Sequence, residues 1–496
     1  MAGTNGSEGK GGKGKVREKE EGITVKKSED FSEWYTQVVT KGGFADYGPV
    51  QGTIAYMPNS YAIWERIQQL FGKMIRETGH RNVYFPLLIP ESFLTKEKDH
   101  IEGFAPEVFW VTHGGSQELG ERYAIRPTSE TIIYSFYSKW VRSWRDLPLL
   151  LNQWCNILRA EIKSTKPFVR GSEFLWQEGH TVHETEKDAD REVMMILGFY
   201  KELVERYLAI PVIVGRKSEK EKFAGALYTT TIELMMPDGK ALQGGTSHNL
   251  GQNFSKPFGI KFLDRNNQPQ FAWTTSWGIS TRLIGAVLMV HGDDKGAVIP
   301  PEMAPVHAAI VPIYKSGEEA AVLKKAREVK KRLEDTGLSV VLDERDDKTP
   351  GWKFSQHELE GVPLRIEIGP RDVKEGKVVV VRRDTSEKAS VSESGIAAGV
   401  EKLLETMQKD MLARARAALE KQTHSAKDYQ KLKETIEKGG GFVKADWCGA
   451  EACEMKIKDE TGATVRAIPF DEEKRLGDCV VCGKKAKHSP YFARSY

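Results

Sequence analysis

Apolar and polar residues alternate along this chain with two different periods, and the changes of period divide it. From Asn59 to Thr78 the apolar residues recur at helical spacing; Asn59 is placed to cap that helix and Gly79 to stop it. "NVYFPLLIP" then reads as a strand. Pro86 within it has no N–H to donate, which points to an edge or interface strand rather than one flanked on both sides. Helical spacing returns over Ser129–Trp144 and Asp188–Leu208. Between them "RAEIKSTKPFVRGSEFLWQEGHT", Arg159–Thr181, alternates as strand, turn and strand. "ALYTTTIELMMPDGKALQGGTSHNLG" adds two more strands around a Pro-Asp-Gly turn. Strands joined by turns predict an antiparallel sheet with helices packed on one side.

Beyond Ala304 the rhythm changes. "HAAIVPIY", a helix around Glu318–Thr336, "LSVVLDERD", a helix near Trp352–Leu359, "PLRIEIG" and "KVVVVRR" alternate strand with helix, as in a small α/β domain. Amphipathic segments at Gly395–Lys421 and Lys427–Lys438 follow, and Gly439–Gly441 ends them ahead of a last small domain beginning near Phe442. The chain therefore reads as α+β in four parts. These are a disordered basic tail over 1–22, a large domain over 23–303, the α/β domain over 304–405, and a helical linker with a small C-terminal domain over 406–496.

Composition narrows the class. A length of 496 residues exceeds one average core and suits about three domains. A net charge of +3 is too small to argue for nucleic acid by itself, so any such argument must rest on local surface. No apolar run reaches about 18 residues, so no membrane span is predicted, and residues 1–22 have no apolar signal core. Four of the five cysteines cluster near the C-terminus, which fits a reducing compartment better than a disulfide framework. We expect a cytoplasmic protein. "GxxxxGK[ST]" does not occur, and "GxGxxG" occurs only as "GKGGKG" in the 1–22 tail with no strand before it, so neither a P-loop nor a Rossmann nucleotide site is indicated.

The chemistry gathers in the first strand pair. Alternate strand residues share a face, so Phe174, Trp176, Glu178 and His180 point the same way, and Arg159 and Glu161 form a matching pair on the preceding strand. The loop between carries Lys163, Lys166 and Arg170. A solvated face laced with salt bridges is one reading, but exposed pairs contribute only about 0–1 kcal/mol and do not explain the aromatic rings among them. A pocket needs this mixture of aromatic wall and converging charge. "RPTSETI" sets Thr128, Ser129 and Glu130 at a helix start; capping accounts for one of the three polar groups, not for all. "LQGGTSHNLGQNFS" supplies Gln243, Thr246 and His248, with Gly244 and Gly245 either admitting a ligand to the backbone or forming a bulge. In "TSWGISTRLIGAVL", Arg282 opens an apolar helix, and a buried arginine there requires an anion, whether a carboxylate or a phosphate.

In this order the segments resemble the class II aminoacyl-tRNA synthetases, and specifically the prolyl-tRNA synthetases of the archaeal and eukaryotic-like type. "GHRNVYFPLL" is similar to the first class motif, "RAE" with "RGSEF" to the second, and "GISTR" to the third. "RPTSET", "FLWQEGHT" and "GGTSHNLGQNFS" narrow the likeness to the proline enzymes. The resemblance implies an antiparallel class II sheet with flanking helices, an α/β anticodon-binding domain and a small zinc-binding α/β domain. It implies a homodimer whose substrates are L-proline, ATP and tRNA(Pro), with Mg2+ accompanying ATP. Arg159 and Arg282 would be the catalytic guanidiniums. Glu161, Arg170, Phe174, Gln243 and Thr246 would complete the ATP site with them. Thr128, Glu130, Trp176, Glu178, His180, His248 and Ser276, together with Arg159, would shape the proline end. The bacterial-type editing insertion has no room between the second and third motifs, where residues 175–277 are already taken up by strands and one helix.

Such a site activates an amino acid whose carboxylate is already ionised, so it must supply alignment and charge relief rather than a base. A guanidinium keeps its proton and offers a fork to phosphate oxygens. No carboxylate stands out for magnesium; Glu233 is the one candidate, with a strand-face role as its alternative. His180 and His248 read as pocket wall rather than as bases. In the α/β domain Arg365 and Glu367 alternate on one strand face as anticodon readers, with Trp352 and Phe354 nearby in a loop and strand; plain strand alternation explains the first pair equally well. Cys448, Cys453, Cys479 and Cys482 read as a structural S4 zinc site, with inert thiols and disulfides as alternatives. Cys155 reads as a packed core cysteine.

Overall fold

Seven strands form the central sheet of the computed structural model, which describes residues 22–98, 107–471 and 476–496. They are β1 (Arg81–Asn82), β2 (Leu149–Leu158), β3 (Glu173–His183), β4 (Ile213–Arg216), β5 (Tyr228–Met235), β6 (Ala241–Gly251) and β7 (Trp273–Ser280). Their order across the sheet is β1-β2-β3-β7-β6-β5-β4, parallel between β1 and β2 and antiparallel elsewhere. The tail expected over 1–22 lies outside the described residues, Gly22 excepted.

β3 runs through the middle, and its alternation sets up the site. Phe174, Trp176, Glu178 and His180 take one face. On the other, the Gln177 amide meets the Tyr200 hydroxyl at 2.9 Å. Gly179 faces the Trp277 ring so closely that a Cβ would lie 2.2 Å from it, so no larger residue fits. Helices Pro58–Glu77 and Glu186–Glu202 cover this second face. Ile63, Trp64, Ile67 and Phe71 are buried there, Phe71 stacks on Tyr200 at 5.2 Å, and Trp64 meets Trp154 edge-on at 5.4 Å. Each such side chain contributes about 1.5–3 kcal/mol by burial.

The boundaries differ from expectation for local reasons. Met57 occupies the N-cap of the first long helix and Pro58 opens it, while the Asn59 amide donates to the Gly42 carbonyl instead of capping. "NVYFPLLIP" is not one strand: only Arg81–Asn82 and Leu88–Pro90 pair, and the backbone N–H of Phe85, just before Pro86, goes to the Gln153 side chain. The helix expected over Ser129–Trp144 stops at Trp140, because Ser143 and Asp146 build a separate capped turn. Arg159 and Glu161 lie in the turn after β2, not on the strand; the Arg159 N–H makes the last rung, to Ser172 O.

The second sheet joins Ala308–Pro312, Val340–Leu342 and Leu364–Ile368 in parallel and adds Lys377–Arg382 and Lys388–Ser392 antiparallel. Trp352 and Phe354 stand on the helix Pro350–Glu360, not in a loop and strand. Thr349 caps that helix and Pro350 takes its first position, a start signal that the sequence carries. One helix of 26 residues, Ile396–Lys421, then passes three cores in turn. Ile396, Val400 and Leu404 pack on the second sheet, Met407 and Met411 meet Ala209 and Val298, and Leu419 reaches Phe442. The last sheet orders Thr423–Ala426, Phe442–Ala445, Tyr491–Ala493 and Thr464–Ala467, so it begins ahead of Phe442. It seals an edge of the central sheet: Arg216 and Ile468 exchange backbone hydrogen bonds of 2.8 Å. Among the described residues no helix is long and apolar enough to cross a membrane.

Candidate active site

A cavity of roughly 260 Å³ opens on the face of β3 that carries Phe174, Trp176, Glu178 and His180. Thr128 and Glu130 reach it from the start of the helix Glu130–Trp140, Arg159 from the turn after β2, Gln243, Thr246 and His248 from β6, Ser276 from β7, and Arg282 from the helix Arg282–His291. The two guanidiniums therefore share one space. Arg159 lies 5.4 Å from the Phe174 ring centre and 6.0 Å from that of Trp176, and donates to Pro127 O. Arg282 donates to the carbonyls of Val169 and Gln243, each at 3.2 Å. No described carboxylate forms a direct ion pair with either. Burial, reinforced by Arg159, pulls the Arg282 pKa down to about 10; burial also lowers that of Arg159, against the pull of Glu161, Glu130 and Glu178. Two half-buried guanidiniums with no ion pair of their own make a site for an anion.

Beneath this lies a closed polar network. Glu178 accepts from Ser129 Oγ, from Gln153 Nε2 at 2.8 Å and from Cys155 Sγ at 3.4 Å, and meets His180 Nε2 at 3.0 Å. Burial works against charge on Glu178, but the hydrogen bonds from His180, Ser129 and Gln153 hold its pKa below the ordinary value. For His180 burial is again outweighed, by Glu178 and Glu130, and its pKa is raised. His248 has no such partner: burial, then His180, lowers its pKa to about 3, so it is a neutral ring against Phe223, 4.8 Å away. Ser276 Oγ is buried with no hydrogen-bond partner in a wall of the cavity. Cys155 is half-buried beside the cavity, accepting from Trp176 Nε1 at 3.2 Å, and so departs from the expected core packing.

The remaining predicted residues fall elsewhere. Arg170 lines a smaller neighbouring cleft that shares Phe174, and Glu161 acts on Arg159 only through its charge. The glycine pair lines the cavity and also forms a bulge: Ile232 opposes Gly245 and Glu233 opposes Gln243, leaving Gly244 as the extra residue. Arg365 and Glu367 bind each other at 2.9 Å; Glu358 and the Phe354 ring also hold Arg365, so a base would have to break this pair to be read. The four cysteine sulfurs all lie within 4.8 Å of one another, with Cys448 3.6 Å from Cys453 and 3.7 Å from Cys482. Disulfide sulfurs would stand about 2.05 Å apart; a tetrahedron of Zn–S bonds near 2.3 Å sets them about 3.8 Å apart. The cluster fits zinc.

Comparison with known proteins agrees along most of the chain. The family model "tRNA synthetase class II core domain (G, H, P, S and T)" matches residues 109–291, "Anticodon binding domain" 307–403, and "Prolyl-tRNA synthetase, C-terminal" 429–496. The chain is 56% identical over 476 residues to a proline–tRNA ligase of Cenarchaeum symbiosum, covering 96% of this chain and 99% of that one. It is 55% identical to the proline–tRNA ligase of Acetoanaerobium sticklandii, over 94% and 97%. The chain belongs to the prolyl-tRNA synthetase family. The crystal structure of the Cryptosporidium parvum prolyl-tRNA synthetase, complexed with halofuginone and AMPPNP, superposes on this synthetase with a TM-score of 0.92 at 43% identity, covering 96% of this chain and 99% of that one.

Sequence reasoning missed several residues of the synthetase. Glu221, Phe223 and Thr229 line the cavity, and only the ring of Phe223 beside a glycine turn hinted at it. Gln153 and Ser129, which fix Glu178, carry no motif of their own for that role. Glu233 is buried with both oxygens engaged, Oε1 by Lys217 Nζ at 2.7 Å and Thr231, Oε2 by Arg466 at 2.9 and 3.0 Å. Two cations already neutralise it, so it does not fit a magnesium ligand.

Proposed function

We propose that this protein is a proline–tRNA ligase that joins L-proline to ATP as prolyl-adenylate and then passes it to the 3'-terminal ribose of tRNA(Pro). The observation that carries the reading is the convergence of two half-buried guanidiniums, neither in an ion pair with a described carboxylate, in one aromatic-walled cavity. In the first step the proline carboxylate attacks the α-phosphorus of ATP; an O–P bond forms, and the bond to the pyrophosphate oxygen breaks. Arg159 orients the α-phosphate and the carboxylate, Arg282 takes the terminal phosphates, and Phe174 stacks on adenine with Gln243 and Thr246 beside it. Glu161 and Arg170 act from the rim. Because both arginines keep their protons, they hold negative charge from ground state to transition state without a protein base.

At the other end Glu130 and Thr128 receive the secondary ammonium of proline. Trp176, His248 and Ser276 surround the ring, and the Glu178–His180 pair fixes the floor. Exclusion by size alone is weak, about 1–3 kcal/mol per methylene, so alanine should be activated at a measurable rate. In the second step the ribose hydroxyl attacks the carbonyl carbon and AMP leaves, with the phosphate of the adenylate taking the proton. Mg2+ would accompany ATP. Zinc would be held by Cys448, Cys453, Cys479 and Cys482 and would supply a fixed tetrahedral link within the C-terminal domain. The strands and single long helix filling 175–277 support a synthetase without the editing insertion. The domain at 307–403 reads the anticodon, through Arg365 and Glu367 once their mutual pair opens. The enzyme acts as a cytoplasmic homodimer.

Proline-dependent exchange of pyrophosphate into ATP, measured across all twenty amino acids, tests this. Exchange with proline foremost, followed by transfer to tRNA, is the expected result. Exchange without transfer would favour a ligase for a small acceptor, and no exchange would leave a tRNA-binding scaffold.

A further inference from the structure

The loop after β4 carries Glu221 and Phe223 into the cavity, and its anchor lies in another domain. Ser218, buried, donates its hydroxyl to Glu454 Oε1 at 2.7 Å and accepts from the Glu221 backbone N–H at 3.2 Å. Glu454 follows Cys453 directly on the helix Glu451–Thr461 of the four-cysteine domain. At the base of the same loop Lys217 is tied to Glu233, whose second oxygen is held by Arg466, also from that domain. At its far end the Phe223 N–H donates to Thr229 Oγ1 at 2.9 Å. That hydroxyl meets His248 Nδ1 at 2.8 Å, and the Phe223 ring covers the imidazole. One hydrogen-bonded chain therefore runs from a helix of the cysteine domain to a wall of the cavity.

We propose that Glu454 and Arg466 are positioning residues for proline: they hold the 217–223 loop so that Phe223 and His248 form a fixed wall at the amino-acid end. The inference rests on the assignment of His248 to the proline end given above. Glu454 touches no substrate and acts through Ser218, which grips the backbone of Glu221. Arg466 acts through Glu233 on Lys217. The ATP end, bounded by Phe174, Arg159 and Arg282, stands on β3, the turn after β2 and the helix Arg282–His291; Ser218 and Glu454 make no hydrogen bond to it, and Glu233 and Arg466 reach Arg282 only through their charge.

The asymmetry gives the test. Full-length Ser218→Ala, Glu454→Ala and the double variant are compared in pyrophosphate exchange with proline and ATP varied separately. Each single change is expected to raise KM for proline about three- to tenfold, with kcat and KM for ATP moving less than about twofold. The double variant should be no worse than either single one, because both break the same link. Arg466→Lys, which keeps the charge, should retain more of the proline affinity than Arg466→Met. Faster hydrogen exchange of the 219–224 amides should accompany the rise. An unchanged KM for proline in both single variants, effects that multiply in the double one, or an equal rise for both substrates would overturn the proposal. If the unaltered chain shows no proline-dependent exchange, the functional reading fails and takes this one with it; normal exchange with unmoved variants removes this one alone.

Discussion

Arg466 is buried and Arg282 half-buried near the same sheet, and their charges are met in opposite ways. Arg466 faces Glu233, which also receives Lys217, and the group is closed by protein atoms. Arg282 donates to two carbonyls in the cavity wall and makes no ion pair with a described carboxylate; Arg159 is the largest charge acting on it, and Glu233 opposes that only through space. Both sites cost desolvation energy. In one the protein returns it with a counterion; in the other the return waits for a ligand. The closed group belongs to the architecture, and the cation left without an ion pair is the one that the proposed function sets against phosphate.

The contrast is sharpest if each side is broken separately. Glu233→Gln leaves Lys217 and Arg466 buried without a carboxylate, and should cost about 3–5 kcal/mol of stability in a denaturant titration. Full stability in this variant would mean that the three groups are not a closed unit. Arg282→Ala should do the reverse. Exchange activity should fall about 10²–10³-fold, as for a lost transition-state donor, while the thermal midpoint holds or rises because an unpaired charge has gone. A large loss of stability there would place Arg282 with Arg466. Ser129→Ala removes one donor to Glu178 and should cost about 1 kcal/mol in stability, with a rise in KM for proline measured by exchange.

The smallest effect is one of pH. The raised pKa of His180 contributes stability that is full below its ordinary 6.5 and is lost as pH climbs through the raised value. The lowered pKa of Glu178 contributes stability that is present above its ordinary 4.5 and is lost as pH falls through the lowered value. The pair therefore stabilises most between those two ordinary values. A His180→Asn variant should lose most stability, relative to the parent, inside that window; a loss constant from pH 4 to 9 would deny the pair its charge.

The same contrast explains what could be read from the sequence. The cavity was legible because strand periodicity places Phe174, Trp176, Glu178 and His180 together without any knowledge of partners, and Arg282 at the head of an apolar helix already asked for an anion. The closed group was not legible. Glu233 and Arg466 lie 233 residues apart, and only the docking of the last sheet on β4 brings them together. Arg365 and Glu367 failed differently: residues two apart on a strand share a face, so their mutual pairing was available beside the reading as base contacts. Charge alternation around Glu161 mimics strand periodicity, and the turn after β2 breaks it.

The helix Ile396–Lys421 carries a constraint of another kind. At about 1.5 Å per residue its 26 residues span about 39 Å. It meets a different apolar surface near its start, its middle and its end. Inserting a single residue at its centre would turn everything beyond by about 100° and carry Leu419 off Phe442. Drift in the length of this rod should therefore be tolerated in whole turns and rejected in fractions, as with a screw whose thread engages three nuts at once.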